Sequence, residues 1–333
     1  MKKQLKYVIV GGLILILFLY HLCFILHPPK SGSSSGGTGG RLNTGNRIKR
    51  LPGCIMIGVR KGGTRALLDM LNLHSSIRAA NFEVHFFDND TNYHKGLNWY
   101  RYEKKSVNIL KIFSAYQFLN FSPYHRDQMP STNPNEIALE KSPSYFVTPS
   151  VPKRIHAMDR NVKLLLIVRD PLTRLISDYT QILHNHMEKG LVFKPFKKLA
   201  LNPADGSINR NYDALLRSLY VNYMTNWLEY FPRNQIHVVN GEKLIKKPWQ
   251  EIRKVEDFLG LKHEITRDNF FFNSTKGFHC IQKHEEEHCL AKSKGRSHPN
   301  ISSLLVHKLR TFFRPYNYKF YDIVGQDFGW PDE

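Results

Sequence analysis

Lys61-Gly62-Gly63-Thr64-Arg65 joins a short apolar, β-branched run, Cys54 to Val59, to the helical pattern Ala66 to Leu71. A strand-to-helix junction of this kind handles phosphate. Glycines let backbone N–H groups close around an oxyanion, and the helix N-terminus adds positive potential. Lys61 supplies a mobile full charge. It precedes the glycine pair instead of following it, so the loop is not a Walker A motif and kinase or ATPase chemistry is disfavoured. A second run, Val162 to Val168, leads through Arg169-Asp170-Pro171 into a helical pattern carrying Leu175, Ile176, Tyr179 and Ile182. Arg169 then lies at a strand end, with Ser177 about two turns into the helix, where both suit another phosphate. In the segment Ser293 to Pro299, Gly295 stands between Lys294 and Arg296. Each segment alone is compatible with ordinary turns and packing; three together imply one multiply phosphorylated nucleotide.

Two other segments carry titratable groups. Alternation places Glu83 and His85 on the same face of an extended chain; in isolation they read as surface side chains. His284-Glu285-Glu286-Glu287-His288 matches the H-E-x-x-H zinc pattern, but that chemistry needs a helix presenting both histidines and a third ligand. Here the pattern falls in a short loop between Cys280 and Cys289, which we pair as a disulfide. No metal site is expected.

Strands alternating with helices, with a third strand over Gln235 to Asn240, predict an α/β fold with a mainly parallel central sheet and flanking helices. Ligands then sit at the carboxyl ends of the strands. With 333 residues and 41% hydrophobic residues the chain can bury a core. Its 48 Lys+Arg against 28 Asp+Glu give +20, and 16 His would add charge in a mildly acidic compartment. Nucleic acid, an anionic membrane or a sulfated glycan would each fit that charge.

Lys2, Lys3 and Lys6 precede the apolar run Tyr7 to Leu26, which is long enough for a membrane span. The lysines keep residues 1–6 cytosolic and send the remainder to the lumen, giving type II topology. No small-residue cleavage site follows, so the span is expected to remain as a signal anchor. Residues 27–50 include SGSSSGGTGG and form a flexible stem, and the folded domain occupies 51–333. Sequons at Asn89, Asn120, Asn273 and Asn300 permit glycosylation.

Taken in order, GVRKGGTRALL (58–68), EVHFFD (83–88), EKSPSYF (140–146), RDPLTRLISDYTQ (169–181), TKGFHC (275–280) and SKGRSHP (293–299) closely resemble the heparan sulfate glucosamine 3-O-sulfotransferases. The resemblance implies a Golgi enzyme with a P-loop-like fold that uses 3'-phosphoadenylyl sulfate (PAPS) as sulfuryl donor. Its substrate would be heparan sulfate, not nucleic acid. Lys61, Gly62, Gly63, Thr64 and Arg65 match the loop holding the donor's 5'-phosphosulfate. Arg169 and Ser177 match the 3'-phosphate site, and Lys294, Gly295, Arg296 and His298 the C-terminal donor loop. Glu83 matches the general base, supported by His85 and Asp88. Lys61 would neutralise charge developing in transfer, so no metal is required. Arg65, Lys141, Gln181 and Asn185 match acceptor contacts. Segments such as DNDTNYHKG and the short stem lean toward the family's fifth-type branch. Two features depart from the family: residues 102–126 look like an insertion, and His279 precedes Cys280 where the family usually has an aromatic or other residue, leaving Phe278 as the main adenine-side contact.

Overall fold

The computed structural model describes residues 47–101, 128–283, 286–291 and 295–333. The span 7–26, the stem up to residue 46, the segment 102–126 and the candidate donor residue Lys294 lie outside the described residues. Among the described residues no helix is long and apolar enough to cross a membrane.

Five parallel strands form the centre: β2 (Cys54–Gly58), β3 (Ile77–Ala79), β5 (Ile137–Lys141), β6 (Lys163–Val168) and β7 (Ile236–Asn240), in spatial order β3-β5-β2-β6-β7. A two-residue ladder, β1 (Ile48–Lys49) with β4 (Ser131–Thr132), runs antiparallel beside them. The strands are mostly apolar because both sheet faces are covered. Alternation divides them cleanly. Ile55, Ile57, Leu164, Leu166, Ile236 and Val238 enter one core with Tyr220, Met224 and Trp227 of a helix, α3 (Tyr220–Leu228). Cys54, Met56, Leu165, Ile167 and Val239 enter the other, against α1 (Thr64–Leu71) and α5 (Pro248–Leu259).

Local chemistry sets the turns that matter. At the end of β6, Asp170 accepts a hydrogen bond from Thr173 N at 3.1 Å and caps α2 (Pro171–Met187), whose first residue is proline. At the end of β7, Asn240 accepts from Lys243 N at 2.9 Å and caps α4 (Gly241–Lys246). A long helix, α6 (Ser303–Val324), packs Leu305, Leu309 and Phe313 against Leu172 and Leu175 of α2. The expected strands and helices are present, with ends shifted by one or two residues.

The region read as a loop around the H-E-x-x-H pattern is instead part of an antiparallel sheet of β8 (Phe270–Asn273), β9 (Phe278–Lys283) and β10 (Glu286–His288), in order β10-β9-β8. His288 therefore stands on a strand, not on a ligand-presenting helix. Cys280 and Cys289 form the expected disulfide, closing a loop across a sequence separation of 9. Cys280→Ser should lower the unfolding free energy by about 2–3 kcal/mol, the loop-closure value for a ring of this size, measured by urea denaturation of the oxidised protein.

Candidate active site

The carboxyl ends of four central strands converge on one place. Lys61 follows β2, Lys141 ends β5, Arg169 follows β6 and Gly241 follows β7. They border a cavity of about 840 Å³, whose lining also includes Glu83, Ser177, Phe278 and His298. The size and position suit a nucleotide.

The phosphate loop is held in an uncommon conformation. Lys61 has φ 68°, and Gly63, the N-cap of α1, has φ 111°. Glycine carries the second value at no steric cost, while Lys61 bears strain of the kind found at functional turns. Gly62 is required for space: a Cβ there would stand 2.6 Å from Ile167 O and 3.0 Å from Val59 O. Behind the loop, wholly buried Arg174 donates to Arg60 O at 3.3 Å and pairs with Asp178 at 3.0 Å, and Asp178 also accepts from Arg60 Nε at 2.9 Å. This ties the loop to α2, the helix that brings Ser177 and Gln181.

A smaller recess of about 80 Å³ adjoins the main cavity, lined by Lys61, Arg169, Ser177, Thr180, Gln181, Gly295, Arg296 and His298. Cations and hydroxyls meet there, as a phosphate requires. His298 is held below its ordinary pKa, first by burial and then by the charges of Arg169 and Lys61. Gln181, matched to the acceptor contacts, accepts from Arg296 Nη1 at 2.8 Å and lies 3.5 Å from Lys61 Nζ. Asn185 is exposed and, among the described residues, is tied to the site through Gln181, whose Nε2 donates to its Oδ1 at 2.7 Å. Gly295 (φ 68°) lies against Phe278: a Cβ would approach that ring to 2.9 Å. His279 also borders the cavity, its Nδ1 3.1 Å from Ile245 O and its ring set edgewise to Trp249.

Two carboxylates line the cavity, Asp69, which pairs with Arg65, and Glu83. One oxygen of Glu83 accepts from Lys141 Nζ, and the other lies 3.4 Å from His85 Nε2. Nδ1 of His85 is 2.9 Å from Asp88 Oδ2, which also accepts from Ser144 Oγ. Glu83, His85 and Asp88, expected to act together, do lie together, but not on an extended strand. His85 has φ 52°, and this left-handed turn aims its ring between the two carboxylates. Burial works to raise the pKa of Glu83; the hydrogen bonds from His85 and Lys141, with their charges, outweigh it and hold it at about 2. The bonds from His85 to Asp88 and Glu83 stabilise the imidazolium against burial and raise it to about 10. Glu83 is thus ionised and His85 protonated at neutral pH. Arg65 also borders the cavity and pairs with Asp69 at 2.9 Å.

Several contributors carry no motif signal of their own. Glu140, fully buried, accepts from Ser142 Oγ at 2.5 Å and Tyr100 OH at 3.2 Å, and Ser142 Oγ accepts the His85 N–H at 3.1 Å. Burial raises Glu140 to about 7, against the opposing hydrogen bonds from Ser142 and Tyr100. Glu140 and Ser142 lie within a segment already singled out, EKSPSYF; only their contacts reveal that they brace His85.

A phosphate loop at the head of a parallel sheet, joined to a cationic recess and a paired carboxylate, defines a nucleotide-dependent group transferase. The sulfotransferase domain model matches residues 51–323. The chain is 43% identical over 308 residues to mouse heparan sulfate glucosamine 3-O-sulfotransferase 5, covering 92% of this chain and 81% of the relative. It is 44% identical over 289 residues to human heparan sulfate glucosamine 3-O-sulfotransferase 3A1, covering 85% and 63% respectively. A sulfotransferase from Alicyclobacillus acidocaldarius shares the fold, with a TM-score of 0.53, 17% identity and coverage of 84% of this chain and 97% of that one. The chain belongs to the heparan sulfate glucosamine 3-O-sulfotransferase family. Identities to the type 5 and 3A1 relatives are too close to separate the branches.

Proposed function

We propose that the protein transfers a sulfuryl group from PAPS to the 3-hydroxyl of glucosamine in heparan sulfate, with Glu83 as general base. The observation that carries this is the opening of Lys61, Glu83 and Lys141 onto one cavity at the strand ends. PAPS would supply the activated sulfuryl group. Gly62, Gly63 and Thr64 would hold its 5'-phosphosulfate, Arg169, Ser177 and Arg296 its 3'-phosphate, and Phe278 its base. The new O–S bond forms as the S–O bond to the nucleotide breaks, with the hydroxyl proton passing to Glu83 and the electron pair leaving on the 5'-phosphate. Lys61 neutralises charge building on the sulfuryl and bridging oxygens.

A carboxylate with a pKa near 2 accepts a proton poorly. Lys141 resolves this if the anionic acceptor draws its ammonium away from Glu83 as the complex forms, leaving the carboxylate more basic. His85, held by Asp88, keeps Glu83 aimed. Since Lys141 depresses Glu83 in the free enzyme, Lys141→Gln should move the acid limb of kcat/KM upward, toward the ordinary glutamate value of 4.5, besides lowering kcat. A pH profile of the two proteins checks this; an unmoved limb would remove Lys141 from the titration of the base.

The reaction is tested with a heparan oligosaccharide whose reactive glucosamine lacks the 3-hydroxyl. It should accept no sulfate where its parent does, and equal transfer to both would refute the assignment. The lysines before Tyr7 to Leu26 support a type II anchor, and the family resemblance places that anchor in the Golgi membrane in this proposal. The sequons and the Cys280–Cys289 bond fit a lumenal glycoprotein. Carbonate-resistant membrane association, with only an N-terminal tag open to protease in intact vesicles, is the expected result.

A further inference from the structure

Arg169 is gripped from behind by Gly241, at the cavity edge, and by Glu242, Tyr220 and Trp330, which do not border the cavity. Gly241 and Glu242 follow β7 directly. A Cβ on Gly241 would stand 2.5 Å from Arg169 Cγ and 2.7 Å from Val168 O, so only glycine leaves room for the arginine stem. Oε1 of Glu242 accepts from Asp170 N at 3.0 Å and lies 3.4 Å from Arg169 Nε. Its Oε2 accepts from Trp330 Nε1 at 3.2 Å. Trp330 is only 5% exposed, stacked on Phe328 with ring centroids 4.8 Å apart and packed on Tyr220 at 5.7 Å. Tyr220 OH in turn donates to Arg169 O at 2.8 Å. A second tie runs from Pro331 O to Arg310 Nη1 at 2.8 Å, with Arg310 Nη2 3.9 Å from Asp170.

The carbonyl of Arg169, the inner nitrogen of its guanidinium and the next peptide N–H are thus all engaged. Among the described residues its two terminal nitrogens make no hydrogen bond to protein, and its side chain borders both the cavity and the recess. Glu242 lines neither. A carboxylate behind an arginine fixes the direction of the guanidinium fork without meeting the anion in front of it.

We propose that Glu242 and Trp330 are positioning residues for the donor's 3'-phosphate, acting through Arg169, so that the segment 326–333 sets donor affinity while touching no substrate. This rests on the reading of Arg169 as a 3'-phosphate contact. A pre-aimed arginine gains affinity because less side-chain freedom is lost on binding. Trp330→Phe keeps most of the ring stack and removes the N–H. Glu242→Asp keeps the charge and withdraws the carboxylate by one methylene, which separates position from electrostatics.

The test is calorimetric binding of adenosine 3',5'-bisphosphate and of adenosine 5'-phosphate to the full chain and its variants. Each substitution should weaken the bisphosphate about tenfold and leave the monophosphate within about twofold. In an Arg169→Met background neither should weaken the bisphosphate further, because the effect passes through Arg169. Equal losses for both nucleotides, no loss for either, or a further loss in the Arg169→Met background would overturn the proposal. If Arg169→Met itself weakens both nucleotides equally, the assignment of Arg169 to the 3'-phosphate fails, and the proposal with it.

Discussion

Glu83→Gln should reduce transfer by about a thousandfold or more while leaving binding of adenosine 3',5'-bisphosphate within about threefold. The amide keeps the size of the carboxyl and can still face Lys141 and His85, but it cannot accept the hydroxyl proton. The split between turnover and nucleotide affinity is what gives the experiment its force, because a carboxylate needed only for local packing would disturb the neighbouring phosphate loop as well. Glu83 is 41% exposed at the side chain, so its replacement leaves little buried surface unmatched. Single-turnover rates measured beside calorimetric affinities report both quantities. Near-normal turnover would require another proton acceptor. Glu140 is the nearby alternative by its raised pKa of about 7, but it is fully buried and occupied by Ser142 and Tyr100.

Lys61→Ala should lower the single-turnover rate at saturating PAPS by about 10²–10³-fold, the cost of removing one preorganised charge from a transfer site. Its ammonium lies 3.5 Å from Gln181 Oε1, beside the recess, and its backbone occupies the left-handed region. Alanine retains a Cβ, so the loop keeps its strain and the substitution isolates the charge. Nucleotide affinity should fall as well, but by less than the rate. A variant that bound PAPS weakly yet turned over normally at saturation would make Lys61 a binding residue alone.

The framework that positions these groups was legible because it repeats. Apolar runs ending at a glycine-rich loop and at Arg169-Asp170-Pro171 disclosed two adjacent strands, β2 and β6, and capping and proline preferences explain why helices begin where they do. The resemblance supplied the site roles, and the structure brings Lys61, Arg65, Glu83, Lys141, Arg169, Ser177, Phe278, Gly295, Arg296 and His298 to one cavity. What alternation could not show is that His85 leaves the extended region, its N–H bonded to Ser142 Oγ, 57 residues away. Nor could spacing show that Gln181 pairs with Arg296, 115 residues away. Short antiparallel strands such as β10 carry too few residues for a pattern, which is why the region around His288 read as a loop. Glu242 and Trp330 belong to no motif, and their link to Arg169 exists only in three dimensions.

Sulfuryl transfer to the 3-hydroxyl is tested most directly by incubating the full chain with radiolabelled PAPS and heparan sulfate, then digesting the product to disaccharides and locating the label. Label on the 3-oxygen of glucosamine, absent from a parallel reaction with Glu83→Gln, is the predicted result. Label confined to the amino group or to another hydroxyl, or no transfer by the folded protein, would contradict it.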